Sequence, residues 1–342
     1  MKKLYTTAEY KKRNTKRAKD RLKQQLLSKE KAKAKRRAID GVPIAEQRER
    51  RETSQFASLP APSNFSFVEN TVAVLAYLER IQDKIKHRTP ILINLKDITN
   101  LTNDAIVLLL AIVKNPAITK GVPIKGNYPR DEELRKIFQE SGVFGANGTE
   151  TEHKNYILTR QNKKAEGGIA NEMIKRATKI VFGQEARCPG IYRALMESMA
   201  NTCYHAKPAQ IGHETWWLTV YHDKALNKVS FAFIDMGVGI FRSSKMSGFR
   251  DNLKSFFGIT DNRDVLKEII SGRKMSSTKI PYRGKGLPNI YKGLERNYYS
   301  NLKIISNDVK ADLSSDKYER LSKEFSGTFL YWELNNTNRW TT

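Results

Sequence analysis

Apolar residues recur every three or four positions across residues 72–85, at Val72, Val74, Leu75, Leu78, Ile81 and Ile85. That is the period of a helix with one buried face. "TPILINLKDI" follows as a short apolar run opened by Pro90, which predicts a buried strand. "NDAIVLLLAIVKNP" predicts a second apolar helix, stopped at Asn115 and Pro116. "GVPIKGNYP" reads as another short strand, and "RDEELRKIFQESGVF" as a helix ending at Gly142. Strand and helix in alternation imply a small α/β unit over about residues 67–146, with helices packed on a parallel or mixed sheet.

A second patterned region covers about residues 168–335. "CPGIYRALMESMANTCYHA" places Ile191, Leu195, Met199 and Cys203 on one side of a helix. "TWWLTVYHD" and "KVSFAFIDMG" read as strands joined by "KALN", a hairpin. Trp216 and Trp217 fall on opposite faces of the first strand, so one is expected in the core and the other partly exposed. Residues 241–283 are polar and basic, with one amphipathic piece at 265–270. "RGKGLPNIYKGLER" opens a helix at Gly284 and Gly286, and "SGTFLYWEL" supplies a last strand.

Composition alters this picture at the N-terminus. The chain has 342 residues and a net charge of +25. Residues 1–52 hold 19 Lys and Arg against 7 Asp and Glu, a net of +12. This arm has no Gly or Pro before Gly41 and favours helix, but Leu22, Leu26 and Leu27 give it only a thin apolar stripe. It reads either as a contact surface for nucleic acid or another polyanion, or as a solvated tail. "SQFASLPAPSNFS", residues 54–66, reads as a linker from its Ser, Pro and Ala content. The expected organisation is therefore a 1–53 arm, a 54–66 linker, a 67–150 α/β domain and a 151–342 domain. No run is apolar enough to cross a bilayer, and no secretory signal opens the chain, so a cytoplasmic protein is expected. The two cysteines, Cys188 and Cys203, lack metal-ligand spacing and argue against a zinc site.

Three short stretches carry candidate chemistry. Glu197 and Asn201 lie four apart and share a helical face, where an amide oxygen can help hold hydrated magnesium and a carboxylate can take a proton. Surface helices also produce that spacing without any site. In "FIDMGVGI" an apolar strand ends on Asp235, Gly237 and Gly239. Such an ending suits a plain turn, or a place where the backbone approaches a ligand that one carboxylate reads. Gly284 and Gly286 open a helix whose first amides can face phosphate, although no P-loop pattern is present.

Two resemblances organise these readings. "ILINLKDITNLTNDAIVLLLAI" with "LRKIFQESGVF" resembles the STAS domain of anti-sigma-factor antagonists. That family ends a strand in Asp-Ser-Ser-Gly and phosphorylates the second serine. Here Thr102, Asn103, Asp104 and Ala105 occupy the stretch, which puts Asp104 at the phosphoserine position and speaks against phospho-switching. Thr102 or Asn103 is then simply an N-cap, with Asp104 favourable to the helix dipole.

The second resemblance follows from order. A Glu/Asn helix, a hairpin, Asp-x-Gly-x-Gly, a long loop, a Gly-x-Gly helix and a Gly-Thr strand resemble the GHKL ATPase family. "ESMANTCYHA" is most similar to its anti-sigma-factor kinase and histidine kinase branches. The resemblance implies an α/β (α+β) chain: a STAS-like domain, then a GHKL α/β sandwich, preceded by a basic helical or disordered arm. It implies ATP and Mg2+ as ligands, Glu197 as general base and Asn201 as the magnesium ligand. Asp235 would accept from the adenine amino group, with Gly237 and Gly239 leaving room for base and ribose and Thr328 nearby. Gly284, Gly286 and Leu287 would meet the phosphates; Lys279, Arg283 and Lys285 read either as γ-phosphate contacts from a lid or as solvated surface charges. The implied activities are a magnesium-dependent ATPase or a serine/threonine protein kinase acting on an unidentified regulated partner. The alternative is an ATP-gated binding module with little turnover, controlling a protein partner or nucleic acid; a homodimer is compatible with either.

Overall fold

The structure is a computed structural model, and it describes residues 7–39, 55–143, 156–205, 215–242, 258–272 and 286–340. The chain divides into two compact units, Met1–Phe56 and Ala57–Thr342. The first contains helix α1, Ala8–Ile39, whose described side chains are exposed apart from the half-buried Tyr10.

The second unit begins with β1 (Ala57–Pro60), β2 (Asn64–Phe65), α2 (Thr71–Lys86), β3 (Ile91–Asn94) and β4 (Asn100–Leu101). It continues through α3 (Asn103–Val113), a single turn α4 (Pro116–Thr119), β5 (Ile124–Gly126) and α5 (Glu132–Glu140). Then come β6 (Tyr156–Asn162), α6 (Gly167–Phe182), α7 (Pro189–His205), β7 (Trp216–Asp223) and β8 (Lys228–Asp235). The last elements are α8 (Asn262–Ser271), α9 (Gly286–Glu295), β9 (Ser300–Asp312) and β10 (Lys317–Leu334). Strands β1-β3-β5 form a parallel sheet, β2-β4 a parallel pair, and β6-β7-β8-β10-β9 an antiparallel sheet. The protein is thus mixed α/β with both kinds of sheet.

The five-stranded sheet is covered on both faces, and its alternation shows how. Trp216, Phe231 and Phe233 point into one core with α6, α7, α8 and α9 residues such as Ile174, Leu195, Leu266 and Ile290. Trp217, Ala232, Ile234 and Phe329 point into the other core, shared with Val74, Ile106 and Leu109 from α2 and α3. Phe67 meets Phe325 and Phe329 edge-on, with ring centroids 5.2 and 5.1 Å apart. Both tryptophans are therefore fully buried, which corrects the expectation that one is partly exposed. One face of the strand would be open only if the region before residue 150 stood apart.

That same packing merges the two expected domains into one unit with a shared core. The linker expectation is corrected as well. Residues 57–60 pair with β3 and residues 64–65 with β4, because Leu59 and Phe65 are buried and Pro60 sits on an edge strand that tolerates it. The amphipathic piece expected inside a lid is helix α8, capped by the Asp261 side chain and burying Val265, Leu266, Ile269 and Ile270.

Candidate functional site

Helix α7 turns Ile191, Leu195 and Met199 into the core, so the i, i+4 pair Glu197 and Asn201 is left half-buried along its edge. The start of α9 meets that edge. A Cβ added to Gly286 would stand 2.8 Å from Asn201 Nδ2, 3.1 Å from its Oδ1 and 3.3 Å from Glu197 Oε2. A side chain added there would press on the ends of the Asn201 and Glu197 side chains, which would have to shift to admit it. One turn on, Asn289 Nδ2 donates to Glu197 Oε1 at 2.8 Å. No cluster of three or more His, Cys, Asp and Glu side chains is placed to hold a metal among the described residues. The donor set is an amide oxygen beside a carboxylate and a helix N-terminus, which fits a hydrated magnesium–phosphate group and not a protein-caged ion.

Asp235 ends β8 one residue short of a turn. Its Oδ1 accepts from the Gly237 N–H at 2.9 Å, and its Oδ2 from the Thr202 hydroxyl at 3.3 Å. Thr328, its cross-strand neighbour on β10, contributes backbone and side-chain hydrogen bonds as well. The first bond is that of a turn-forming aspartate, so the plain-turn reading is part of the answer. Burial goes further than a turn requires. Asp235 is 7% exposed, and loss of water pushes its carboxyl up to about 6, against the pull of the bonds from Gly237, Thr202 and Thr328. A buried carboxylate held at a strand end and shifted toward neutral pH marks Asp235 as a candidate site residue, although structural networks perturb carboxylates too.

The glycines divide by cause. Gly239 has φ +81°, and an added Cβ would collide with the Asn307 side chain. Asn307 in turn braces the turn, donating to Val238 O at 2.9 Å and accepting from the Phe241 N–H at 3.1 Å. Gly239 is required by backbone and packing, which is a different reason from room for a ribose. Gly327 has φ +142°, and a Cβ there would strike the Asp235 backbone carbonyl. Leu287 is half-buried and packs on the helical core. Lys279, Arg283, Gly284 and Lys285 lie outside the described residues.

Sequence reasoning missed Thr202, Asn289 and Asn307. Asn289 carried a signal: it lies one helical turn beyond Gly286. Asn307 carried none.

Two cavities open on the second unit. One of about 1060 Å³ runs between α6 and α7 and reaches Glu197 past Lys175, Arg187, Tyr192 and Arg193. The other, about 670 Å³, lies on the opposite face of the sheet, among Asp104, Tyr331, Lys228 and Glu333. Asp235 borders neither.

At the start of α3, Asp104 is buried and accepts from Val68 N–H at 2.7 Å and Ser66 Oγ at 3.1 Å. Burial raises its pKa. Its carboxyl ties the loop before α2 to the start of α3, and Thr102 is the N-cap, without a side-chain capping bond. Comparison of the chain with models of protein families, with curated proteins and with solved structures finds no match in any of the three.

Proposed function

We propose that residues 57–342 form a magnesium-dependent ATP-binding and ATP-hydrolysing unit of GHKL-like arrangement, with a STAS-like layer built onto the back of its sheet. The observation that carries this is the meeting of Glu197, Asn201 and Gly286 at the start of α9, on the same helix α7 whose Thr202 donates to the buried Asp235. Four chemically matched groups, scattered over 90 residues of sequence from 197 to 286, converge on one side of one sheet.

Each residue has a task in this reading. Asp235 accepts a hydrogen bond from the exocyclic amine of adenine, and Thr328 supports it from the neighbouring strand. The N-terminus of α9 offers amides and the positive end of its dipole to phosphate. Asn201 holds the metal through its amide oxygen; magnesium, when bound, neutralises phosphate charge. Glu197 takes the proton of the attacking water, with Asn289 fixing its other oxygen. The serine/threonine kinase reading differs only in what delivers the hydroxyl.

The buried Asp104 supports a structural role for the STAS-like layer. Its carboxyl is spent on Ser66 and Val68, and the layer shares a core with the sheet, so it is a fixed part of the unit and not a dissociable substrate.

Asp235→Asn is the direct test. The amide oxygen is a weaker acceptor, and the expected loss of ATP affinity is about 1.5–3 kcal/mol, roughly 10- to 150-fold. Parent-like affinity in a calorimetric titration would remove the nucleotide assignment. Adenosine, which carries no phosphate, isolates the titration of Asp235. Its affinity is expected to be level at neutral pH and to fall as pH drops through about 6, because a protonated carboxyl has lost acceptor strength. The folded pKa lies above the ordinary 3.8, so this group's contribution to stability is complete below 3.8 and is lost as pH rises through about 6. Both dependences should vanish in Asp235→Asn; a profile shared by parent and variant would mean that another group titrates.

A further inference from the structure

The helix α1 has a charge distribution that nothing in the ATP site uses. It runs unbroken for 32 residues, Ala8–Ile39. Its sequence holds 14 Lys and Arg against Glu9, Asp20 and Glu30. The cations sit on every side of the helix, since Lys11, Lys12 and Arg13 alone already point in three directions about 100° apart. Every described side chain from Lys11 to Lys31 is exposed.

This distribution discriminates among polyanions. A membrane-surface helix needs one broad apolar face opposite a basic one. Here the apolar side chains Leu22, Leu26 and Leu27 make a single patch, 48–59% exposed. Single-stranded nucleic acid is held by aromatic platforms on which bases stack, and Tyr10 is the only aromatic residue of the helix. A-form RNA has a major groove too narrow for side chains to read. B-form DNA has a major groove about 12 Å wide, which admits a helix of about 10–12 Å diameter between two walls of phosphate. Positive charge on all sides of a rod matches a surface that is negative on both flanks.

We propose that α1 binds duplex DNA by lying in its major groove, held by Lys and Arg contacts to the phosphates on both sides and without base preference. The ligand is recognised by charge and groove width, and binding does not depend on the nucleotide site.

The test uses the full chain and a 24-base-pair fluorescent duplex, with single-stranded DNA, duplex RNA and phosphatidylserine vesicles as competitors. With six or more phosphates neutralised, affinity is expected to fall by about 10³-fold or more between 50 and 200 mM salt. Replacing Lys11, Lys12, Arg13, Lys16, Arg17 and Lys19 with glutamine keeps good helix formers in place. That variant should bind more weakly and show a shallower salt slope, by about 0.9 for each phosphate it no longer neutralises. Far-ultraviolet circular dichroism on both proteins separates the effect of charge from that of helicity, and a glutamate series at the same positions repeats the test if helicity changes. An unchanged slope in the variant overturns the proposal. So does single-stranded DNA or duplex RNA binding as tightly as duplex DNA, or arm-dependent capture by the vesicles in place of DNA.

Discussion

Replacing Glu197 with alanine is expected to slow ATP turnover by about 10²- to 10⁴-fold, the usual contribution of a positioned general base. ATP affinity should stay near that of the parent, because the proposed contacts to adenine are at Asp235 and those to phosphate at α9. The geometry makes the prediction specific. Glu197 is half-buried, its Oε1 is pinned by Asn289, and its Oε2 lies beside Gly286, where phosphate would arrive. Asn201→Ala should behave differently and lose the magnesium-dependent part of binding. Thin-layer separation of labelled ATP products resolves the outcome, since released phosphate and labelled protein run apart. Parent-like turnover by Glu197→Ala would remove the general-base role and favour an ATP-gated binding module.

Phe329→Ala is expected to destabilise the whole 57–342 unit by about 3–5 kcal/mol, the cost of emptying a buried aromatic site. Phe329 is fully buried on β10, where it touches Phe67 from the segment before α2 and pairs across the sheet with Ile234 and Ile305. Because that ring belongs to both layers, unfolding in urea should stay one transition. Tryptophan fluorescence, which reports the sheet, and hydrogen exchange of the α2 and α3 amides, which reports the helices packed on it, should shift together. Separate transitions for the two signals would restore two independent domains.

The elements of the second unit were legible because their periods are local. Leu75, Leu78 and Ile81 mark one face of α2, and the alternation through residues 229–234 marks β8, whichever partners they meet. Helix α6 and strands β6 and β9 went unnamed: Tyr156–Asn162 shows no clear alternation, and β9 mixes Lys303 and Asn307 into an apolar run. The candidate residues were legible as types, a carboxylate, an amide and glycines at element ends.

By itself the sequence determined the net charge of the arm, the helical face shared by Glu197 and Asn201, and the strand that stops at Asp235. Those properties depend on residues within one or two turns of each other. Tertiary structure alone decided that Trp217 is as buried as Trp216, since only the packing of α2 and α3 closes the second face of the sheet. It likewise decided that Gly286 sits against Asn201 and Glu197, that Asn307 dictates a glycine at 239, and that Asp235 loses its water. Each of these depends on segments distant in the chain, as Asp235 does on Thr202, 33 residues before it. A periodic pattern says that a side chain is buried, but the neighbour that buries it, and with it the electrostatics of the site, is set by how the layers meet.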